Sequence, residues 1–530
     1  MLPRGFGDGN PGVRLAARPE LDGQDGRAGT GTVIYPAPMQ VSLVATPIWA
    51  MKTPPLTTAY LTAWLRKHGH DVCQIDWNIE LFHHAPDELK EYWDRTQLHK
   101  WQDPKRYAEE IAPRITTPTI GDYVDRILAA EPPVVGISTY SIEATKHLAR
   151  EIKARAPETF VVVGGQVCDP GFYGYNLAWS GVIDAVVYGE GEGPLLEIVE
   201  AIGRGETDLT HIAGLLLPRD GGADDTGSRA PIKDMESLPW PSFETLPMDY
   251  YTESIEPPHP PSRAVSTLMS RGCVRKCDFC LQAEIWANFR YRKAQSVYDE
   301  MAAHKERYGV TRVHFNDLLI NGNVRQLSLL CDLLIERPLG LAWGGNAICS
   351  KTLKRALLEK MRAAGCDLLG FGFESFSDPV LKAMAKKYTA AEAARLVKDM
   401  HEVGMKFFSN LIIGHPAEGR QQFAETIRFL IENAKYFNEA PTSSLLIVQK
   451  NTPIWRARKY WNIEMEEGDA LGWSLADGSN TLSERKYRAQ VLNFFYESLF
   501  DKSLKITDMD TEKDLSLMSD DVIPRTAQAN

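Results

Sequence analysis

The sequence predicts an α/β fold in which a doubly wound parallel sheet precedes a partial (β/α)6 barrel and a small C-terminal region. Short apolar strands alternate with amphipathic helices from residue 40 to about residue 203. The same alternation returns after residue 263, beyond a stretch rich in proline. Alternating strands and helices are typical of parallel sheets that carry helices on their faces.

Composition changes along the chain predict the domain boundaries. Residues 1–36 are rich in Gly, Arg, Asp and Pro and are expected to be a flexible arm. Residues 37–203 form the first domain, and the repeated prolines and glycines of residues 204–262 indicate a linker. Residues 263–450 form the second domain, and residues 451–530 a mostly helical C-terminal region with a frayed tail.

Five strands are predicted in the first domain, namely Val41–Ala45, Asp71–Asp76, Val134–Ser138, Phe160–Val163 and Asp184–Tyr188. Ligands of doubly wound sheets bind beyond the carboxyl ends of the strands. Glycines follow two of these strands, as Gly164-Gly165 and as Gly189-Glu190-Gly191-Glu192-Gly193. Glycine allows a ligand to approach the backbone closely, although a tight strand-to-helix turn also accounts for it.

Six parallel strands are predicted in the second domain and around it, namely Ala264–Met269, Val313–Phe315, Leu341–Gly344, Asp367–Phe373, Phe407–Ile413 and Ser444–Val448. Amphipathic helices lie between them. Six strands make a partial barrel, whereas a complete one has eight.

Composition describes an ordinary globular protein, with 530 residues, 44% hydrophobic residues and a formal net charge of −11. The negative balance argues against a nucleic-acid partner, and no apolar run is long enough for a membrane span. The N-terminus has no apolar segment typical of a secretory signal. Five cysteines are scattered singly, which suits a reducing compartment, and we expect a cytoplasmic protein.

The most specific signal is a loop that carries three of the eight cysteines, Cys273-x3-Cys277-x2-Cys280, directly after the first barrel strand. Three thiolates leave one ligand position open, which fits a four-iron cluster with one free iron. A structural zinc site is closed by four ligands, and the fourth would have to come from a distant residue. Unliganded thiols are the third interpretation.

This spacing, with the aromatic Phe279 before the last cysteine, resembles the radical S-adenosylmethionine (SAM) superfamily. The resemblance implies a 4Fe-4S cluster on Cys273, Cys277 and Cys280, whose open iron binds SAM and supports its cleavage to a 5′-deoxyadenosyl radical. It extends to residues at later strand ends, which it implies bind SAM: Glu374 and Ser375, then Gly414 and Pro416. Asn316 and Asp317 stand where many members carry Gly-Gly-Glu to hold the amino group of SAM. We expect these two residues and Phe279 to bind SAM as well.

The first domain resembles the cobalamin-binding domain of a large radical SAM subgroup. The matching residues are Ser138, Thr139, Gly164, Gly165, Gln166, Tyr188, Gly189, Glu190 and Gly191. The histidine motif that supplies a cobalt ligand in mutases is absent from the loop at Thr46. The resemblance therefore implies that cobalamin binds without a histidine on cobalt. It also implies that the nucleotide tail of cobalamin inserts near Ser138 and residues 164–166.

The two resemblances together imply a cobalamin-dependent radical SAM enzyme. The leading hypothesis is a methyltransferase that acts on an unactivated carbon of a small-molecule, natural-product or peptide substrate. An external electron donor of the flavodoxin or ferredoxin kind would supply electrons. A cyclase, ring-rearranging or oxidising enzyme with the same cofactors is the alternative, since no residue separates the two. A non-enzymatic corrinoid or zinc-binding regulator is a third hypothesis. A methylthiotransferase would need further N-terminal cysteines, where only Cys73 and Cys168 occur.

Two stretches have no role in these resemblances. The basic run from Arg290 to Lys293 could face an anionic group or form a solvated helix entry. The polar loop from Trp473 to Thr481 could lie near the substrate.

Overall fold

The structure is a computed structural model that describes residues 37–48, 51–253, 262–286, 288–466 and 468–500. The predicted N-terminal arm (1–36) and the predicted frayed tail beyond residue 500 lie outside these ranges.

The first domain is built on a seven-stranded sheet. Its strands are β1 (Gln40–Ala45), β2 (Asp71–Asp76), β3 (Val134–Ser138), β4 (Phe160–Gly164), β5 (Ala185–Val187), β6 (Leu215–Arg219) and β7 (Gly222–Asp225), in the order β2-β1-β3-β4-β5-β6-β7. Strands β1 to β5 are parallel, as predicted, while β6 and β7 are antiparallel additions. The strand order reverses between β1 and β3, which is where such sheets bind ligands.

Helices cover both faces of this sheet. They are α1 (Leu56–Lys67), α2 (Trp77–His84), α3 (Leu98–Gln102), α4 (Pro104–Arg106), α5 (Thr117–Leu128), α6 (Ile142–Arg155), α7 (Gly174–Ala178) and α8 (Glu192–Gly203). Leu65 of α1 and Ile198 of α8 share one apolar core, and Val124 of α5 and Leu148 of α6 share the core on the other face. The strands divide their side chains between the two cores, so the sheet is doubly wound as predicted.

The stretch predicted as a linker contains more structure than its composition indicated. Residues 215–225 form the β6–β7 hairpin and extend the first sheet. Its turn, Asp220-Gly221, is a recognisable hairpin signal, but the prolines and acidic residues around it concealed the strands. The stretch before α5, which had no predicted assignment, is helical and includes a π-helix at Tyr107–Thr116. The domain boundaries themselves stay a prediction.

The second sheet contains the six predicted parallel strands and one antiparallel edge strand. Its strands are β8 (Thr252–Glu253), β9 (Ser262–Thr267), β12 (Arg312–Phe315), β13 (Ala342–Ala347), β14 (Cys366–Glu374), β15 (Lys406–Ile413) and β16 (Thr442–Leu445). They follow the order β16-β15-β14-β13-β12-β9-β8, and the short pair β10 (Ser270–Arg271) and β11 (Arg290–Tyr291) lies beside them. The partial (β/α)6 barrel is therefore confirmed.

The barrel helices are α9 (Gln282–Ile285), α10 (Ala294–Tyr308), α11 (Val324–Glu336), α12 (Arg355–Ala363), α13 (Asp378–Ala383), α14 (Ala390–Val403) and α15 (Arg420–Asn433). Their apolar faces bury a core with the sheet that also includes Leu56, Ala59 and Tyr60 of α1. The two domains thus share apolar contacts.

The C-terminal region comprises α16 (Pro453–Arg456), the pair β17 (Ile463–Glu464) and β18 (Ser474–Leu475), and α17 (Leu482–Phe500). Leu492 and Tyr496 of α17 are buried in the barrel core. Among the described helices, none combines the length and the hydropathy that a membrane span needs.

Two glycines at the carboxyl edge of the first sheet give a matched test of this backbone. Gly165 has φ 139° and ψ 173°, a region that only glycine uses, and an added Cβ would lie 2.8 Å from the carbonyl oxygen of Thr139. Gly189 has φ 80°, with nothing within 4 Å of an added Cβ. We expect Gly189→Ala to lower the free energy of unfolding by about 1–2 kcal/mol, and Gly165→Ala to lower it by more.

Thermal and denaturant unfolding of the two variants would measure these losses. Equal losses would contradict the crowding that the structure shows at Gly165.

Candidate functional site

The three-cysteine loop leaves the barrel between β10 and α9. Gly272 starts it with φ 84°, and an added Cβ there would lie 2.4 Å from the backbone oxygen of Asn288, so only glycine fits. Cys277 is buried, whereas Cys273 and Cys280 are half-buried. Burial raises the pKa of the Cys277 thiol to about 11, against the nearby charge of Lys386. A bound metal centre would deprotonate such thiols outright.

The donor set fits a cluster better than a single ion. The loop offers three cysteines. A structural zinc site is normally closed by four ligands. A four-iron cluster uses a separate cysteine on each ligated iron, so its thiolates surround the cluster instead of meeting at one point. Three cysteines on one loop suit that arrangement.

Asp278, in the middle of the loop, ties it to two other parts of the chain. Its backbone N–H donates to the carbonyl of Met384 at 3.3 Å, and its carbonyl accepts from the N–H of Ile454 at 2.8 Å. Its carboxylate lies 2.9 Å from Nε2 of His415, which is fully buried. Because the N–H of Ala417 donates to Nδ1 of His415 at 3.1 Å, we assign the proton to Nε2, which donates to Asp278.

Glu374 and Ser375 lie at the carboxyl end of β14, where the pairing with β15 shifts register and Glu374 adopts φ 66°. Lys386 lies 3.4 Å from Oε1 of Glu374, donates to the carbonyl of Gly372 at 2.6 Å and lies 5.7 Å from the ring centre of Phe279. Ser375 is buried, and its hydroxyl accepts from the N–H of Ser377 at 3.2 Å. The structure thus places Glu374 near the cysteine loop but engages Ser375 in its own turn.

Gly414 and Pro416 lie on the loop after β15, and the C-terminal region holds that loop. The N–H of Gly414 donates to Glu418 at 2.9 Å, and its carbonyl accepts from Asn480 at 3.0 Å. Asn480 belongs to the polar loop that the sequence left unassigned. Arg488 of α17 donates to the carbonyl of Glu418 at 3.0 Å.

Asn316 and Asp317 separate at the carboxyl end of β12. Asn316 lines a cavity between the first domain and the barrel. Asp317 is buried and accepts from the N–H of Met269 at 3.0 Å and the hydroxyl of Ser270 at 2.5 Å. Burial raises the pKa of Asp317 to about 7. Its observed contacts are with the segment that leads into the cysteine loop.

A cavity of about 430 Å3 lies between the two domains, within the size range of pockets that bury small organic ligands. Residues of β3, β4 and α1 line it from the first domain, and Ser270, Arg271, Gly272 and Asn316 line it from the second. Gly272 directly precedes Cys273. One cavity therefore reaches from the switch point of the first sheet to the start of the cysteine loop.

Most residues predicted to bind cobalamin meet at this cavity: Ser138, Gly164, Gly165, Gln166, Gly189, Glu190 and Gly191. Thr139 and Tyr188 do not line it. The Thr139 hydroxyl lies 2.6 Å from that of Thr145, and the Tyr188 hydroxyl donates to Asp225 of β7 at 2.6 Å. No histidine lines the cavity within the described part of the chain. The backbone of these four glycines leaves room there that larger side chains would fill.

A buried ionic network joins the two domains at the cavity. Arg271 lies 2.5 Å from Glu192 and 3.5 Å from Glu190, and Arg290 lies 2.7 Å from Glu190. Arg271 is 7% exposed and Glu192 is 4% exposed. Burial opposes ionisation of Glu192, but Arg271 outweighs it and keeps the pKa of Glu192 below its ordinary value.

Sequence reasoning missed this network. It singled out the glycines around Glu190 and Glu192 as a ligand loop, and the Arg290 run as a site for an anionic group or a solvated helix entry. The sequence held one signal of the network. Glu190 and Glu192 on one strand-end loop had no assigned partner, and Arg271 stands next to the cysteine loop. Arg292, from the same run, pairs at 2.5 Å with the buried Glu300.

The family model of the radical SAM superfamily matches residues 267–430. These residues contain the cysteine loop and the four barrel strands that follow β9, namely β12, β13, β14 and β15. The chain is 28% identical over 316 residues to an uncharacterised methyltransferase of Pyrococcus horikoshii, covering 59% of this chain and 66% of the relative. It is 26% identical over 320 residues to the anaerobic magnesium-protoporphyrin IX monomethyl ester cyclase of Rubrivivax gelatinosus, covering 57% and 55%. The chain thus spans less than two thirds of the length of either relative.

Among solved structures, the chain is similar to the radical SAM methyltransferase TsrM from Kitasatospora setae, determined with cobalamin and a [4Fe-4S] cluster bound. The TM-score is 0.57 at 20% identity, over 81% of this chain and 76% of that one. Residues 267–430 therefore match the radical SAM superfamily, and the chain shares its overall fold with TsrM. The family resemblance and the fold class predicted from the sequence are confirmed.

The ionic network gives a direct prediction for stability. We expect Arg271→Gln to lower the free energy of unfolding by about 3–5 kcal/mol, because it leaves a buried glutamate without its partner. The double variant Arg271→Gln/Glu192→Gln removes both charges and should lose less than the single variant. Denaturant unfolding at neutral pH would measure all of these values.

The matched control is Arg355→Gln, which removes an exposed arginine that pairs with Glu359 and Glu402. It should change stability little. A double variant that loses more stability than Arg271→Gln alone would contradict the coupling of the two side chains.

Proposed function

We propose that this chain is a cobalamin-dependent radical SAM methyltransferase acting on an unactivated carbon of a small-molecule or natural-product substrate. The observation that carries the proposal is the single cavity lined both by the predicted cobalamin loops and by the start of the cysteine loop. The methyltransferase relative and the fold shared with a cobalamin-bound methyltransferase support it.

Each predicted ligand set has residues that suit it. Cys273, Cys277 and Cys280 would hold the 4Fe-4S cluster. SAM would be positioned by Asn316, Glu374 and the loop at Gly414. These groups would be supported by Asp317, Ser375, Phe279 and Pro416. The loops at residues 138–139, 164–166 and 188–191 would hold cobalamin. When bound, the cofactors would supply radical cleavage and methyl transfer.

The protein's own contribution is to position these groups and exclude water. The cavity walls are largely apolar side chains such as Leu43, Leu195 and Leu268, which shield a reactive intermediate from solvent. Arg271 fixes the cobalamin loop against the cysteine loop through Glu192. The Asp278–His415 pair fixes the cysteine loop against the strand-end loop at Gly414. We further propose a cytoplasmic location, since all eight cysteines are free thiols.

The alternative is a radical cyclase or oxidising enzyme that uses the same cofactors without methyl transfer. The specific observation in its favour is the similarity to the Rubrivivax gelatinosus cyclase, at nearly the same identity as the methyltransferase. Both readings use the same cavity and the same cysteines.

Anaerobic reconstitution tests the proposal. The wild type should bind about four iron atoms and one cobalamin per chain, and should form 5′-deoxyadenosine from SAM under reduction. With methyl-deuterated SAM, the label should also appear in the extracted corrinoid. The triple variant Cys273→Ala/Cys277→Ala/Cys280→Ala should lose iron and 5′-deoxyadenosine formation but still bind cobalamin.

Equal 5′-deoxyadenosine formation by the wild type and the triple variant would overturn the assignment of the cluster. Full 5′-deoxyadenosine formation with no label in the corrinoid would favour the cyclase.

A further inference from the structure

We propose that the surface around the cysteine loop is a docking site for an acidic one-electron donor protein. The proposal rests on the proposed function, because only an enzyme with a redox cluster on this loop needs such a partner. What it adds is the surface itself and the charge of the protein that fits it.

Three segments meet at this surface because Asp278 is bonded on both sides. The carbonyl of Met384, just after α13, accepts from its N–H, and the N–H of Ile454, in α16, donates to its carbonyl. The cysteine loop is thus flanked by the last turn of α13 with the residues that follow it, and by the segment from Lys450 to Trp461.

Basic residues are concentrated on these three segments. The exposed ones, which we call the basic rim, are Lys276, Lys382, Lys387, Lys450, Arg456 and Lys459. The segment from Lys450 to Trp461 contains no acidic residue, and neither does the stretch of residues 379–391. Within the described part of the chain, Lys276, Lys387 and Lys459 form no ion pair, so their charges are available to a partner.

The rest of the molecule has the opposite balance. The chain carries a formal net charge of −11, so the basic rim is a local reversal of sign. Such a patch attracts a negatively charged partner and raises its rate of association, with a strong dependence on ionic strength. Exposed apolar groups lie on the same segments, with Tyr460 78% exposed and Val274 42% exposed. Protein interfaces combine exposed apolar and aromatic groups with a polar rim, and these segments offer both kinds of group.

The position of the rim selects an electron donor over other acidic partners. It lies on the loop that would hold the cluster and on the two segments bonded to that loop, so a docked protein would lie close to the cluster. Each SAM would take up one electron through the cluster and break its sulfur–C5′ bond, which gives methionine and a 5′-deoxyadenosyl radical. The radical becomes 5′-deoxyadenosine by taking a hydrogen atom from the substrate. The donor, a reduced flavin or iron–sulfur protein, is oxidised by that one electron. A nucleic acid on this face would have no comparable role.

The double variant Lys450→Glu/Lys459→Glu tests the proposal, because both lysines are exposed and neither is part of the cofactor sites. 5′-Deoxyadenosine formation by the reconstituted enzyme is measured with two reductants. One is dithionite, and the other is a purified acidic flavodoxin reduced by NADPH and its reductase. We expect the flavodoxin-driven rate to fall about tenfold, because the substitution removes electrostatic steering, and the dithionite-driven rate to stay unchanged.

The matched control is Arg307→Glu, which alters an exposed arginine in the last turn of α10. That turn precedes β12 and so lies at the opposite end of the barrel strands. Arg307→Glu should leave both rates unchanged. Added salt should slow the flavodoxin-driven rate of the wild type and of Arg307→Glu more than that of the double variant.

An unchanged flavodoxin-driven rate in the double variant would overturn the docking proposal, as would an equal fall with both reductants. A wild type that forms no 5′-deoxyadenosine even with dithionite would overturn the proposed function first, and with it the reason for a donor.

Discussion

Two arginines of the barrel domain, Arg271 and Arg290, are buried against two glutamates of the loop that follows β5. Burying four charged groups is costly unless they neutralise one another, so this contact is satisfied only when the two domains are in one arrangement. Arg271 is separated from Cys273 by a single glycine. The contact therefore fixes the position of the cysteine loop relative to the glycine-rich edge of the first sheet, and it lies in the wall of the shared cavity.

The cysteine loop is also held by hydrogen bonds on its other side. Asp278 receives a hydrogen bond from the buried His415, and the loop that carries His415 is held in turn by Asn480 and Arg488 of the C-terminal region. Arg485, which is fully buried on α17, donates to the carbonyl of Trp473 at 2.9 Å. The C-terminal region thus supports the predicted SAM loop through backbone carbonyls. This gives the polar loop around Asn480 a structural role where the sequence offered only proximity to a substrate.

The features predicted correctly from the sequence are those that depend on local residue patterns. Strand positions, the doubly wound order and the partial barrel follow from apolar periodicity, and the cysteine spacing is specific enough to identify the superfamily. The sequence could not predict which polar residues at a strand end turn toward the cavity. Asn316 does and Asp317 does not, although they are neighbours, because Asp317 is taken up by Met269 and Ser270. Thr139 and Tyr188 do not line the cavity for the same reason, since their hydroxyls bond to Thr145 and Asp225. Long-range pairs such as Arg271 with Glu192 leave no trace in local composition.

The central claim is that the two cofactors face one cavity, and electron paramagnetic resonance on the reconstituted enzyme tests it most directly. Cob(II)alamin and the reduced cluster are both paramagnetic, so each has its own spectrum. If both border the cavity at Arg271, the two spins should interact, and reducing the cluster should broaden or split the cobalt signal. A spectrum that is the simple sum of the two separate signals would contradict the account.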